Sequence, residues 1–327
     1  MLNRIFASFD GEQNRKPLSG LCLELLSEQK DAWPACCQGY ASLEHINIRE
    51  ITCNGFIVRV QHNPGRITST LADVKEKEIK ERPCFLCLNN LPEEQKGILY
   101  GNEYLILCNP APVFPSHFTI CHKEHRPQSI AGHIDAFLQL MVDLGSGWTV
   151  LYNGPECGAS APDHLHFQAV PSGHMPVEEE IKETKRLKNI IEVDGILFSR
   201  VGNTGREVIT VEGDNPVSLA GAFGTILSAL KKTLSVDVEP MINIIGFYSK
   251  KRLCIVIFPR AKHRPDAFFR EGDDRLTVSP AVVEMGGILV TPVKKDFENM
   301  DASIAEDIFR EVSLDSRILD KVFDSIT

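Results

Sequence analysis

The sequence predicts an α/β protein of the α+β kind, in which helices flank a largely antiparallel sheet. Segments whose apolar residues alternate, as strands require, are interspersed with segments of helical periodicity. The order strand, strand, helix, strand, strand occurs twice between residues 104 and 259, which indicates duplication of one module. The chain has 327 residues, of which 43% are hydrophobic and 24% charged, so it can bury a large core.

The first 80 residues are predicted to form a helix and a strand that pack on this core. Apolar residues recur at helical spacing over residues 17–32, and Pro34 would end that helix. A strand is expected over residues 55–61, with alternate apolar residues on one face. The turn after it, residues 62–70, contains the turn-forming run Asn-Pro-Gly.

The two repeated units occupy the regions 81–190 and 191–327. The first unit comprises strands at 104–108 and 117–121, a helix at 128–144, and strands at 148–152 and 164–170. The second comprises strands at 195–200 and 207–212, a helix at 216–235, and strands at 241–247 and 253–259. Only the first unit has histidines in its last strand, so we expect a catalytic half and a degenerate partner.

The remaining segments predict further helices and one strand. The charged segment 177–190 is expected to be an exposed helix, because its carboxylates precede its lysines at i,i+4 spacing. A strand is expected near 286–291, and helices near 301–313 and 315–325.

Composition excludes several classes of protein. The net charge is −9 and no dense basic block occurs, which argues against nucleic acid as a partner. No apolar run approaches the roughly 20 residues that span a bilayer, and the first ten residues lack an export signature. The ten cysteines are scattered and do not form a secreted disulfide framework, so a reducing cytoplasm is the expected location.

The stretch from residue 153 to residue 168 carries the strongest functional signal. A loop rich in small residues leads into a segment in which polar and apolar residues alternate. Period-two alternation predicts a strand with His164, His166 and Gln168 on one face and the apolar residues directed into the core. A strand rarely carries three such polar groups on one face unless that face meets a ligand.

The chemistry of this face suggests nucleotidyl transfer. A neutral imidazole is a competent nucleophile towards phosphorus and leaves again easily, so we expect His166 to attack the α-phosphate of a nucleotide. Gln168 can donate an amide N–H to a phosphoryl oxygen, and His164 is either a second catalytic group or a metal ligand. Small residues before the strand let backbone N–H groups and a hydroxyl approach a phosphate. The substrate-binding candidates in this loop are Asn153, Gly158, Ala159 and Ser160. Ser160 is also expected to act in catalysis with His166 and Gln168, by stabilising the charge on the transferring group.

The run His-Leu-His-Phe-Gln at residues 164–168 resembles the active-site motif of one branch of the histidine-triad superfamily. That branch contains galactose-1-phosphate uridylyltransferase, diadenosine tetraphosphate phosphorylase and the GDP-hexose phosphorylases, whereas histidine-triad hydrolases have a third histidine in place of the glutamine. The pentapeptide is most similar to that of the GDP-L-galactose and GDP-D-glucose phosphorylases. The resemblance implies two histidine-triad-like modules, with His166 carrying the nucleotidyl group.

The turn after the early strand extends this resemblance. The branch has a similar strand followed by an asparagine- and arginine-bearing turn against the nucleotide. By this likeness Asn63 and Arg66 would bind substrate. A plain surface hairpin is the alternative.

A second motif, Cys84-Phe-Leu-Cys87, has the spacing of a zinc knuckle. Two thiolates need two more ligands to complete tetrahedral zinc, and the histidines at 117, 122 and 125 are candidates. A redox pair and a chance pair of buried thiols are the alternatives. Galactose-1-phosphate uridylyltransferases resemble this arrangement, which implies a structural zinc held by Cys84, Cys87, His125 and His164. The GDP-hexose phosphorylases generally lack the knuckle, so the chain departs here from its nearest motif match.

Together these features predict a nucleotidyltransferase that acts on a nucleotide-sugar. The reaction would be phosphorolysis to a nucleoside diphosphate and a sugar-1-phosphate, or exchange with a hexose-1-phosphate, through a nucleotidyl-histidine. A dinucleotide polyphosphate phosphorylase, a nucleotide hydrolase and a non-catalytic nucleotide-binding protein are the alternatives. A homodimer is possible. His117 is interpreted as structural, and the roles of His174 and of the segment 262–265 stay open.

Overall fold

The computed structural model describes residues 4–11, 14–71, 79 and 82–326. The expected boundary between residues 80 and 81 lies outside the described residues. Among those described, no helix combines the length and the apolar character needed to cross a bilayer.

Within the described residues the strands form a large sheet and a small one. In chain order they are β1 (Ile5–Phe9), β2 (Asn47–Thr52), β3 (Ile57–His62), β4 (Gly97–Tyr100), β5 (Tyr104–Cys108), β6 (Phe118–His122), β7 (Trp148–Asn153), β8 (His166–Pro171), β9 (Leu187–Val193), β10 (Ile196–Val201), β11 (Val208–Gly213), β12 (Ile242–Ser249), β13 (Arg252–Pro259) and β14 (Ile288–Thr291). The large sheet has the order β1-β4-β5-β6-β8-β7-β12-β13-β11-β10-β9, and the small sheet has the order β14-β3-β2. Only the pairs β1–β4 and β14–β3 are parallel, so the predicted largely antiparallel sheet is confirmed.

The helices of the described residues are distributed along the whole chain. In order they are α1 (Leu18–Ala32), α2 (Pro34–Ser42), α3 (Ile67–Thr70), α4 (Ile134–Leu144), α5 (Val177–Glu180), α6 (Pro216–Leu234), α7 (Val282–Met285), α8 (Lys294–Asn299), α9 (Ala302–Val312) and α10 (Ser316–Asp324). The two helices predicted at the end of the chain are thereby confirmed.

The duplication predicted from the sequence is visible in the strand order. The first unit is β5, β6, α4, β7 and β8, and the second is β10, β11, α6, β12 and β13. In the sheet the first unit runs β5-β6-β8-β7 and the second runs β12-β13-β11-β10, which is the same order reversed. The halves meet where β7 and β12 pair antiparallel, with Asn153 opposite Asn243.

The large sheet is covered on both faces, because its strands alternate apolar residues between two cores. Val150 and Tyr152 of β7 pack with α1, α4, α6 and α10, whereas Leu151 between them packs with the small sheet and α9. This gives a helix layer, the large sheet, and a layer made of the small sheet with α7, α8 and α9.

Two regions predicted as helical differ from the observed structure. One helix starts later than predicted, and the other is followed directly by a second helix. The helix at 128–144 begins only at Ile134, because Gly132 takes a positive φ of 78° and the backbone N–H groups of Ile130 and Ala131 donate to Glu239 instead. The helix over 17–32 ends as predicted, but Pro34 then starts α2, since the first position of a helix needs no backbone N–H.

The charged segment 177–190 is not an exposed helix, so that prediction is wrong. Only Val177–Glu180 is helical, and the chain continues into the edge strand β9. Glu178 and Glu180 are 4% and 5% exposed. Glu178 accepts backbone N–H bonds from Gly173 and Met175, and Glu180 pairs with the buried Arg206 at 3.0 Å. Long-range partners therefore override the helical charge pattern.

Candidate active site

A cleft of about 520 Å³ opens beside the end of β8. It is walled by the strands β6 and β8, by the loop before β8, by the segment 66–70, and by chain that follows β13. Of the residues expected to act in catalysis or substrate binding, all but one line the cleft. They are Arg66, Asn153, Gly158, Ala159, Ser160, His166 and Gln168.

His166 is the first residue of β8, and its ring orientation is set by its own turn. Its Nδ1–H donates to the carbonyl oxygen of His164 at 2.8 Å, which leaves Nε2 as the atom with a lone pair. The side chain is buried, and burial lowers its pKa to about 4, so the ring is neutral at pH 7. Gln128 fixes the backbone on both sides, accepting from the His166 N–H and donating to the His166 carbonyl.

Gln168 is oriented by His117, which lies just before the neighbouring strand β6. The backbone N–H of Val113 donates to His117 Nδ1 at 3.3 Å, so the ring proton sits on Nε2, which lies 2.6 Å from Gln168 Oε1. Since Oε1 is occupied as an acceptor, the amide N–H groups of Gln168 are left for a ligand. His117 is therefore more than the structural residue expected from the sequence: it lines the cleft and holds the amide.

The loop 154–165 brings small residues against the C-terminal segment. Gly158 has φ +114°, and a Cβ there would lie 2.5 Å from Cβ of Ala281, so only glycine fits. Asn153 supports the loop from the end of β7, where its Oδ1 accepts from Asn243 Nδ2 at 2.9 Å and from the Val282 N–H at 2.8 Å.

Of the two substrate-binding candidates in the turn after β3, Arg66 lines the cleft and Asn63 does not. Arg66 lines the cleft and donates to the Ala111 carbonyl at 2.7 Å. Asn63, expected to bind substrate, does not line it. Its amide is buried and donates to Pro112 O and Gln61 Oε1, both at 3.3 Å. The bond to Pro112 holds the turn against the loop 109–113.

The four residues implied as zinc ligands come together beside the cleft. Their ligand atoms all lie within 4.8 Å of one another. Sγ of Cys84 lies 3.3 Å from Nδ1 of His164, and Sγ of Cys87 lies 3.2 Å and 3.6 Å from Nδ1 of His125 and His164. For zinc bonds of about 2.3 Å to sulfur and 2.1 Å to nitrogen, tetrahedral geometry requires such pairs to be about 3.6 Å apart.

The surroundings of the cluster also fit a zinc ion. His164 Nε2–H donates to the His122 carbonyl at 2.6 Å, which leaves Nδ1 unprotonated and aimed at the thiols. Nε2 of His125 lies 3.7 Å from a carboxylate oxygen of Asp163. Of the other candidates, His122 uses its Nδ1 to accept the Glu124 N–H, and His117 is committed to Gln168.

Comparison with known proteins gives matches to two families and to one fold. A profile of a domain of unknown function, DUF4922, matches residues 25–171, and the profile of the GDPGP1-like C-terminal domain matches residues 212–327. The yeast Ap4A phosphorylase Apa2 in complex with AMP matches with a TM-score of 0.59 at 16% identity, over 90% of this chain and 96% of that chain. Apa2 in complex with Ap4A gives 0.56 at 16% identity, over 89% and 97%. No curated protein sequence matches.

These matches agree with the resemblance of residues 164–168 to the histidine-triad branch of galactose-1-phosphate uridylyltransferases, diadenosine tetraphosphate phosphorylases and GDP-hexose phosphorylases. The fold match to Apa2 and the profile match at the C-terminus agree on this branch. The two matches support an enzyme of the nucleotidyltransferase or phosphorylase class.

The cleft contains further residues that the sequence either did not select or, in the segment 262–265, left open between phosphate or sugar binding and a surface loop. Phe85, inside the knuckle, is 45% exposed and lies under the guanidinium of Arg82, 4.9 Å from the ring centroid. His263, Arg264 and Ser279 reach the cleft from the second half. The basic run at residues 262–264 drew attention to His263 and Arg264 in the sequence. Nothing in the sequence showed which surface of the protein this run would face.

Proposed function

We propose that this protein transfers a nucleotidyl group from a nucleotide-sugar to phosphate or to a sugar-1-phosphate through a covalent intermediate on His166. The observation that supports this most directly is the position of the His166 ring. Its Nδ1 is committed to the His164 carbonyl, and its Nε2 is the free lone pair of a residue that lines the cleft.

In the first step Nε2 of His166 attacks the α-phosphorus of the nucleotide-sugar. The bond from that phosphorus to the bridging oxygen breaks, and the oxygen keeps the electron pair and departs as part of a sugar-1-phosphate. The His166 ring becomes positively charged, and the His164 carbonyl stabilises this charge by accepting Nδ1–H. The Gln168 amide and backbone N–H groups of the loop 158–160 would stabilise the charge on the transferring group.

In the second step an oxygen of the acceptor attacks the same phosphorus. The phosphorus–nitrogen bond breaks, and its electron pair returns to Nε2 of His166. With inorganic phosphate as acceptor the product is a nucleoside diphosphate, and with a sugar-1-phosphate it is a new nucleotide-sugar. Two successive in-line displacements retain the configuration at phosphorus.

The cleft offers an aromatic surface for the nucleobase. Phe85 and the guanidinium of Arg82 form a stacked pair at the knuckle, and apolar neighbours lie beside it. A base has a π-face that such a surface can accept. Arg82 also donates to the Ser160 carbonyl at 3.0 Å, which places this surface next to the loop proposed to bind the α-phosphate.

A structural zinc is part of the proposal. Cys84, Cys87, His125 and His164 would hold it, and four protein ligands leave no open coordination position, so it would supply rigidity and no Lewis-acid chemistry. Because His164 would be a ligand through its ring and holds His166 through its carbonyl, the cluster would fix the orientation of the nucleophile.

A dinucleotide polyphosphate is the second candidate substrate, favoured by the fold match to an Ap4A phosphorylase over nearly the whole chain. The same two steps would then release a nucleoside triphosphate first. A hydrolase would use water as the acceptor, and a non-catalytic protein would bind nucleotide without cleaving it.

A substrate panel separates these possibilities. GDP-glucose, GDP-L-galactose, UDP-glucose and Ap4A are each incubated with the protein, with and without inorganic phosphate, and the products are separated by ion-exchange chromatography. We expect phosphate-dependent release of a nucleoside diphosphate and a sugar-1-phosphate from one nucleotide-sugar. Cleavage of Ap4A alone would favour the second candidate. Phosphate-independent cleavage would indicate a hydrolase, and no cleavage of any compound would contradict the proposal.

A further inference from the structure

The cleft has two ends of different chemical character on either side of the loop 158–160. Beyond Ser160 lies the aromatic end, with Phe85 and its apolar neighbours. Beyond Gly158, which packs on Ala281, lies a polar end. The polar end is lined by Arg66, Thr68, Ser69, Thr70, His263, Arg264, Ser279 and Glu284.

The second half of the duplication supplies four of these eight residues and holds them in place. Arg260, the residue after β13, is buried, and its guanidinium holds the chain that follows β13 in place. It donates to Oδ1 of Asn243 and to the carbonyl oxygens of Lys262 (3.1 Å), His263 (2.9 Å), Pro280 (3.1 Å) and Val312 (3.1 Å). Asn243 in turn donates to Asn153 at the end of β7, so the segment is tied to the strand beside the nucleophile.

Within this segment three side chains form a chain of hydrogen bonds. Nε–H of Arg264 donates to the Ser279 hydroxyl at 2.8 Å, and that hydroxyl lies 3.1 Å from Nε2 of His263. A hydroxyl that accepts from a guanidinium is polarised and favoured as a donor, so it donates to Nε2 and leaves the ring proton of His263 on Nδ1. Burial, Arg264 and Arg260 lower the pKa of His263 to about 3, which keeps the ring neutral.

Among the described residues, this end of the cleft carries two guanidinium groups. Arg66 and Arg264 are both cationic at any physiological pH. The nearby carboxyl of Glu284 accepts the Ala281 N–H through Oε2, and burial raises its pKa. A neutral imidazole N–H adds a donor at this end without adding a third positive charge. Guanidinium charge together with a neutral N–H donor suits a phosphate dianion.

We propose that His263, through Nδ1–H, binds the phosphate that attacks the nucleotidyl-histidine, which makes the polar end an acceptor-phosphate subsite. This rests on the proposed function and extends it. In the step concerned, a phosphate oxygen forms its bond to the α-phosphorus as the bond to His166 Nε2 breaks. The same subsite would hold the phosphate of the sugar-1-phosphate that leaves in the first step, since both groups occupy the position opposite the nucleophile.

The test isolates the second step. The protein is loaded with nucleotide from its nucleotide-sugar, freed of small molecules, and mixed either with inorganic phosphate or with buffer alone, and loss of the protein adduct is followed by intact-mass spectrometry. In His263→Leu we expect discharge by low concentrations of phosphate to slow by about ten- to a hundredfold, the effect of losing a hydrogen bond to a charged group. Discharge by water should stay within about twofold, because water does not need the subsite.

Two variants control for a merely structural effect. His263→Asn places an amide N–H near the position of Nδ1 and should recover most of the phosphate-driven rate. Lys262→Ala removes the neighbouring side chain, which pairs with Asp266 and Glu311 outside the cleft, and should match the wild type. Equal rates of phosphate discharge in wild type and His263→Leu would overturn the inference while leaving the proposed function intact. A wild type that forms no adduct would instead overturn the proposed function.

Discussion

Nε2 of His117 lies 2.6 Å from Oε1 of Gln168, and this contact determines which face the glutamine amide presents to the cleft. An amide has a donor end and an acceptor end, and only the donor end can stabilise a phosphoryl oxygen. His117 occupies the acceptor end. The two residues should therefore act as a unit.

Removal of the Gln168 amide is expected to slow both half-reactions without unfolding the protein. Loss of one such donor lowers rates by about 10²–10³ in comparable sites. His117→Ala should give a smaller loss, and the double variant should be no slower than Gln168→Ala, because orientation has no value without the amide. Single-turnover rates measure this, with the exposed Gln139→Ala as control. Additive losses would show that the two residues act independently.

Replacement of the nucleophile should abolish the covalent intermediate. Wild-type protein mixed with its nucleotide-sugar should gain the mass of one nucleoside monophosphate, and His166→Ala should gain none. His133→Ala replaces a histidine that is hydrogen-bonded to Tyr104, and it serves as the control. This variant should still form the nucleotidyl adduct. An adduct that persists in His166→Ala, or that maps to His164, would contradict the assignment.

The neutral state of His117 predicts a pH-dependent stability. Burial lowers the pKa of His117 from 6.5 to about 4. Between these pH values this histidine is protonated in the unfolded chain and neutral in the folded protein. Stability is therefore lost as the pH falls through this window, by up to about 1.4 kcal/mol per pH unit. Urea unfolding at pH 7 and pH 5 measures the slope. His117→Gln keeps a donor for Gln168 but cannot titrate, so its slope should be shallower than that of the wild type.

A buried ion pair gives a prediction about stability. Arg206 and Glu180 are both shielded from water, and the guanidinium also lies 5.0 Å from the ring centroid of Phe309. Glu180→Ala leaves a buried cation without its partner and should destabilise the fold by about 3–5 kcal/mol. Glu179→Ala, one residue away, breaks an exposed pair with Lys182 and should change nothing measurable. Denaturant unfolding compares the two, and equal effects would refute the argument from burial.

The same pair explains why part of the fold was not predictable. The run 177–190 has the local charge pattern of an exposed helix, and the buried Arg206, 26 residues after Glu180, explains why the segment turns inward there. By contrast, the strands of the two repeated units were predicted from their apolar residues, because most residues of these strands are buried. The local periodicity of apolar residues predicts which positions are buried. It does not predict which distant residue will pair with a buried charge.

The site divides in the same way. His164, His166 and Gln168 were found because a strand forces them to recur at every second position, although β8 itself begins only at His166. His164 precedes the strand, since its N–H closes a turn onto the Ala161 carbonyl. His263 and Ser279 are 16 residues apart and meet only through the fold of the C-terminal segment, so no spacing rule could pair them.

The cysteine knuckle gives the last prediction. If zinc binds, the purified protein should contain about one zinc per chain by elemental analysis, and the Cys84→Ser, Cys87→Ser double variant should lose it. The exposed thiol of Cys37 provides the control, and Cys37→Ser should retain the metal.

Loss of the metal should reduce stability more than the chemistry of each folded molecule, because a site with four protein ligands has no position for substrate. A smaller kinetic effect is still expected, since the ring of His164 would lose its anchor while its carbonyl holds Nδ1–H of His166 at 2.8 Å. Thermal unfolding and active-site titration by adduct mass separate the two effects. A metal-free wild type with full activity would show that Cys84 and Cys87 are merely neighbouring thiols, and that the turn at His164 orients the nucleophile without help.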